Sequence, residues 1–209
     1  MARTTSTTFE ITASPRGRFL TSPRIQKILI MSVNFSRTYF TTVTIDSYQP
    51  IFKDFPMTNF IVLESFKTIT QKGQALIYAF VIMKDHLHVV WETGEAVKIE
   101  NLITSFRKYS GRMISNHLKT TAPEYQNLFL STRQDRDRKI WKITKGNINI
   151  HDKEMLGVKI RYIHNNPIRS SYKVVDDCTD YYFSSALAYA KKVKNFEFLT
   201  LLENVVPWS

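Results

Sequence analysis

ALIYAFVIM over residues 75–83, then Lys84-Asp85, then HLHVVW over residues 86–91, is the stretch whose reading decides the fold. The first segment is a nearly continuous apolar run of strand length. The second is a β-branched and aromatic run beginning on two histidines. Only two residues separate them, so the segments form a tight hairpin. Strands joined this way are antiparallel, which excludes a purely parallel sheet.

Working outward, Thr38–Ile45 (TYFTTVTI) is β-branched and aromatic and reads as a strand. Residues 57–72 space Phe60, Ile61, Leu63, Phe66 and Ile69 as a helix does, and Gly73 ends it. On the other side, residues 97–118 carry Ile99, Leu102, Ile103, Phe106, Met113 and Ile114 on one face of a long amphipathic helix. Residues 120–138 are polar and charged and read as a loop. A short strand is expected around Ile140–Ile143, before a turn at Gly146. Residues 152–166 read as a helix with Asp152 as N-cap and Pro167 as stop. A Tyr/Phe-rich patch and a short helix from about Ser184 to Lys194 follow. No internal repeat is visible.

The resulting order, β-α-β-β-α-β-α, predicts an α+β fold. It is a two-layer, ferredoxin-like or RRM-like sandwich, with a central antiparallel sheet and helices on one face. Residues 31–195 are expected to form this single domain and residues 196–209 a tail. Residues 1–30 differ, being rich in Ser, Thr and Arg, with one acid (Glu10) and with Pro15 and Pro23. They read as an extension outside the domain, either transit-peptide-like in composition or preceding a true start at Met31.

The 209 residues contain a single cysteine, Cys178, which excludes an intramolecular disulfide framework and a cysteine-based zinc cluster. No apolar run reaches the ~18 residues of a membrane-spanning helix. The 29 Lys and Arg exceed the 18 Asp and Glu by 11. Residues 1–30 hold five bases and one acid, so +4 sits there and +7 on the rest. A surplus of this size favours polyanionic partners, nucleic acid above all.

Two features carry chemistry. In a strand, residues two apart share a face, so His86 and His88 project side by side and Leu87 points the other way. Neighbouring imidazoles make a pair of metal ligands, or equally a pair of strand histidines with hydrogen-bond partners. Further along, Tyr162 and Asn166 stand four apart in IRYIHNNP (residues 160–167) and share a helix face. By themselves they read as a core aromatic and a C-terminal cap. Taken together, the two features suit attack on a phosphodiester by a phenolic oxygen. A metal held by two imidazoles and one amide would polarise the phosphate. Such mixed nitrogen and oxygen ligands suit Mn²⁺ or Mg²⁺.

The His-hydrophobe-His strand followed by a helix reading Tyr-Ile-His-Asn-Asn-Pro resembles the single-tyrosine HUH transposases, and most closely the REP-associated tyrosine transposases. The likeness runs from about Thr38 to Tyr189. It includes Ser105-Phe106-Arg107-Lys108-Tyr109, the Trp141 region and Tyr181-Tyr182-Phe183-Ser184-Ser185-Ala186. The resemblance implies that His86, His88 and Asn166 bind a divalent ion. It makes Tyr162 the nucleophile that forms a 5′-phosphotyrosine link and releases a 3′-hydroxyl. The implied partner is single-stranded DNA with hairpins, such as folded palindromic repeats, and the implied setting is the bacterial cytoplasm and nucleoid. A monomer and a homodimer are equally compatible with the sequence. Two places depart from the pattern. Lys84-Asp85 stands where relatives have Pro-Asn, and Ile168-Arg169-Ser170-Ser171-Tyr172 lacks the usual glycine.

Tyr109, among Arg107, Lys108 and Arg112, is the rival nucleophile, but no carboxamide or carboxylate stands at helical spacing from it. His164 faces away from the Tyr162–Asn166 stripe and reads as structural. His117 and His151 have no partner at ligand spacing. Arg107, Lys108, Arg112, Lys119, Arg161 and Arg169 are candidate DNA contacts, with Tyr172, Tyr181, Tyr182 and Phe183 as stacking aromatics. The competing function is a catalytically silent module that binds hairpin DNA or RNA. A structural α+β protein with a basic surface would leave the two spaced motifs unexplained.

Overall fold

The computed structural model describes residues 33–129, 139–143, 146–169 and 173–202. The extension read at 1–30, much of the 120–138 loop and Tyr172 lie outside these residues. Four strands, β1 (Thr38–Thr44), β2 (Ala75–Ile82), β3 (His86–Thr93) and β4 (Asn147–Asn149), form an antiparallel sheet in the order β2-β3-β1-β4. This is the order of a ferredoxin-like sheet, the arrangement expected from the β-α-β-β-α-β-α succession of elements. Two crossover helices, α1 (Met57–Gln71) and α2 (Ile99–Thr121), connect β1 to β2 and β3 to β4. Gly73 terminates α1 at φ 63°, a left-handed conformation that costs glycine no Cβ clash.

Both crossover helices pack on the same face. Phe66 from α1 and Phe106 from α2 stack at 5.6 Å over Phe80 and Trp91 of the sheet, and Val43, Leu87 and Val89 complete the layer. The indole of Trp91 donates to Thr41 Oγ1 at 3.0 Å, so a ring buried on β3 keeps its hydrogen bond within the sheet.

The expectation of helices on one face holds for α1 and α2 and fails for α3 (Lys153–His164). Leu156, Ile160 and Ile163 of α3 cover Phe40, Tyr78, Val81, Met83 and Val90 on the opposite face. The reason lies in β2, which is apolar on both sides and needs two covers. A bulge between Ile77 and Ala79 turns Tyr78 and Ala79 to the α3 side and then restores the alternation.

Two further boundaries differ from the sequence reading. Residues 140–143 form no strand; a single bridge joins Trp141 to Ile45, and the edge strand is Asn147–Asn149, beyond Gly146. Trp141 is held by its side chain rather than by a ladder. Its Nε1 donates to Ser110 Oγ at 3.0 Å, and a Cβ on Gly111 would lie 3.2 Å from its ring. The chain from 196, read as a tail, is packed as far as Leu202: Phe196, Phe198 and Leu199 join the α1/α2 core. With α4 (Ala186–Lys191), this region shields β2's outer edge through bridges Val81–Ser184 and Ile77–Leu199.

Candidate nucleic-acid processing site

Register places the candidate site. His88 pairs with Thr42 across β1, and His86 pairs with Thr44 at the end of the ladder. Both imidazoles face α3, with ring centroids 4.8 Å apart and planes at 72°. Each is fixed through Nδ1. Asp85 Oδ1 accepts from His86 Nδ1 at 2.6 Å, and Thr42 Oγ1 lies 2.8 Å from His88 Nδ1. A proton on Nδ1 leaves the lone pair on Nε2, the tautomer a metal ligand needs.

His88 is buried between two rings. Phe40 stacks on it at 5.4 Å, and Tyr162 from α3 meets it edge-on at 5.1 Å. Burial, then the nearby positive charges of His86, Arg169 and Lys159, pushes its pKa down to about 3. The ring is therefore neutral at pH 7, as coordination requires.

Tyr162 is half-buried on α3, also edge-on to Phe40 at 5.7 Å. The Arg169 guanidinium lies over its ring, 4.4 Å from the centroid, and Lys159 Nζ lies 4.9 Å from that of Phe40. Helix α3 stops at His164 and Asn165 caps it, so Asn166 opens a separate turn, Asn166–Ile168, instead of extending the Tyr162 stripe helically. Pro167 explains the early stop, because it disfavours helical geometry in the residue before it. That turn keeps Asn166 buried, and its carbonyl accepts the Arg169 amide at 3.3 Å. Without the usual glycine, the chain still returns Arg169 to the tyrosine.

His86, His88, Tyr162 and Arg169 thus converge. Arg107, Lys108 and Arg112 do not join them, since α2 lies on the sheet face away from the histidines. Burial lowers the pKa of Arg107, while Lys108, Arg112 and Lys119 are exposed. Tyr109, 38% exposed on the same helix, is separated from the histidines by the sheet. Arg161 is half-buried on α3. Tyr181 donates to the Ile82 carbonyl at 2.6 Å, and Tyr182 and Phe183 pack edge-to-face at 5.1 Å. His164 is fully buried, its Nε2 2.8 Å from Ser185 Oγ; burial pushes its pKa down to about 3, as suits a structural imidazole.

Sequence reasoning missed Asp85, Thr42, Phe40 and Lys159. Asp85 stood in view as a departure from the pattern next to His86. Thr42 and Phe40 needed the β1–β3 register, which no local spacing supplies. Among the described residues, no group of three or more His, Cys, Asp and Glu side chains is arranged to hold a metal. The nitrogen donors available at this site are the two imidazoles, and their Nδ1 partners fit that use.

The sheet thus carries paired histidines on the face covered by a tyrosine-bearing helix. The family model described as "Transposase IS200 like" matches residues 29–166, and the chain belongs to that family. Among solved structures, the fold is similar to "Structure of the REP associates tyrosine transposase bound to a REP hairpin", at 15% identity and a TM-score of 0.53, covering 82% of this chain and 88% of that one. No curated protein matches the sequence. Among the described residues, no helix is long and apolar enough to cross a membrane.

Proposed function

We propose that this chain cleaves and rejoins single-stranded DNA at hairpins through a covalent link to Tyr162. The observation that carries the reading is the packing of the Tyr162 ring, 5.1 Å from that of His88, onto a histidine pair whose Nδ1 atoms are both engaged. Membership of the transposase family supports the chemistry. The hairpin bound in the similar solved structure supports the partner.

In this reading His86 and His88 hold a divalent ion, Mg²⁺ or Mn²⁺, with the Asn166 amide oxygen as third ligand. Bound there, the ion supplies positive charge to a phosphate oxygen and orients the phosphodiester. Tyr162 Oη attacks phosphorus; the Oη–P bond forms and the P–O3′ bond breaks. The departing 3′-oxygen takes up a proton and the phenol gives one up. The phosphate stays on the 5′ side of the break, joined to the enzyme, and a 3′-hydroxyl reverses the step to rejoin strands. No nucleotide cofactor is needed, because the phosphotyrosine keeps the bond energy. Arg169 lies against the ring of the nucleophile, where its guanidinium stands ready to take a phosphate oxygen.

Incubation with Mn²⁺ and a hairpin oligonucleotide carrying single-stranded flanks tests this. The expected result is a covalent protein–DNA adduct that survives denaturing electrophoresis and is absent in Tyr162→Phe. Binding without an adduct under these conditions would favour the silent hairpin-binding module.

A further inference from the structure

Beyond the end of β1 the chain makes a turn with two consecutive non-glycine residues in the left-handed region, Ser47 at φ 53° and Tyr48 at φ 54°. Such backbone persists only where the surroundings over-determine it, and it clusters at working sites. Here the Tyr48 side chain is also 59% exposed, so no core packing repays the strain. The surrounding contacts pin the turn in place. The Ile45 amide donates to the Asp85 carbonyl at 2.8 Å, and the Phe52 amide to the Lys84 carbonyl at 3.1 Å. The Asp46 amide donates to the Ile140 carbonyl, and the Lys142 amide to the Thr44 carbonyl, both at 2.8 Å. The turn is thereby welded to the hairpin loop whose next residue is His86.

Lys142 stands beside the exposed ring. Its Nζ donates to Tyr48 Oη at 2.8 Å and lies 4.3 Å from the ring centroid. Among the described residues no carboxylate pairs with Lys142, whereas neighbouring Lys139 is neutralised by Asp46 at 2.8 Å. An exposed aromatic ring with a cation over it that no described carboxylate neutralises matches a nucleotide, whose base stacks on the ring's open surface and whose phosphate takes the charge.

We propose that Tyr48 and Lys142 form a subsite for an unpaired nucleotide flanking the hairpin, with the base on the Tyr48 ring and the phosphate on Lys142 Nζ. The proposal rests on the reading of this chain as a hairpin DNA enzyme. It adds that the single-stranded flank is gripped by the turn after β1, at the histidine end of the sheet. The strain at Tyr48 is retained to present the ring.

Tyr48→Gly separates presentation from folding, because glycine accepts positive φ without strain and removes the ring. Two hairpins would be compared by fluorescence in EDTA, one blunt and one with a 2-aminopurine-labelled single-stranded flank. Tyr48→Gly should bind the flanked hairpin about ten-fold more weakly, as expected for one lost base stack. It should lose the quenching of 2-aminopurine, bind the blunt hairpin like wild type, and melt no lower. Tyr48→Trp should restore quenching. Lys142→Ala should lower the slope of log affinity against log salt by about one on the flanked hairpin only. Unchanged affinity for the flanked hairpin in Tyr48→Gly, an equal loss on the blunt one, or a lower melting temperature would each overturn the subsite. Wild type that binds neither hairpin would overturn the DNA reading itself, and the subsite with it.

Discussion

Two buried imidazoles should make this protein acid-labile, by an amount the structure sets. His88 and His164 both have folded-state pKa values pushed down to about 3, chiefly by burial, against an ordinary value of 6.5. Between these limits the unfolded chain binds protons that the folded chain refuses, so stability falls as pH falls. The full contribution is present above pH 6.5 and is lost progressively toward pH 3. At pH 5 each histidine sits about 1.5 units below its unfolded pKa, which is worth about 2 kcal/mol at ~1.4 kcal/mol per unit. Together they cost about 4 kcal/mol, a large part of the 5–15 kcal/mol typical of a domain. Urea denaturation at pH 7.5 and 5.0, in EDTA to keep metal off His88, measures this directly. His164→Gln removes one titrating group and keeps a side chain able to hydrogen-bond Ser185. It should shrink the pH difference by about 2 kcal/mol, whatever its cost at pH 7.5. An unchanged pH difference in that variant would refute the assignment of acid lability to buried neutral imidazoles.

Asp85→Asn should weaken Mn²⁺ binding, followed by titration calorimetry, about 10- to 100-fold, the usual cost of losing an outer-shell partner. Wild-type affinity would mean that the 2.6 Å contact to His86 does not orient a ligand. Phe66→Ala removes a fully buried ring that contacts Phe80, Trp91, Phe106 and Phe198, and should lower stability by about 3–5 kcal/mol in urea melts. A loss below 1 kcal/mol would contradict the place of Phe66 at the centre of the α1/α2 layer.

The hairpin at 75–91 carried most of the fold, because two apolar runs two residues apart admit only one arrangement. The antiparallel sheet followed from it, while the strand β1, both crossover helices and the cap at Asp152 were legible from their own periodicity and end signals. What escaped was what depends on distant contacts. The second covered face follows from β2 being apolar on both sides, a pattern that an alternating-strand reading passes over because the Tyr78 bulge breaks its period. The burial of Phe196, Phe198 and Leu199 was hidden by the charged stretch before them, Lys191, Lys192 and Lys194. At the candidate site, strand spacing paired His86 with His88, whereas Tyr162 by spacing alone read as a core aromatic and took its candidate role from the family resemblance. Thr42 and Phe40 were not readable from spacing, because they meet His88 only through cross-strand register. Arg169 reaches Tyr162 through an irregular turn that helical spacing does not describe.

The central claim is that Tyr162 is the residue that takes up DNA. Mass spectrometry of tryptic peptides, after nuclease trimming of the adduct formed with Mn²⁺ and a flanked hairpin, tests it most directly. Cleavage after Arg161 and Arg169 releases Tyr162–Arg169 as one peptide. The nucleotide mass is expected on that peptide, at its tyrosine. Finding it instead on the peptide Tyr109–Arg112, or on any other, would contradict the assignment of Tyr162 as nucleophile.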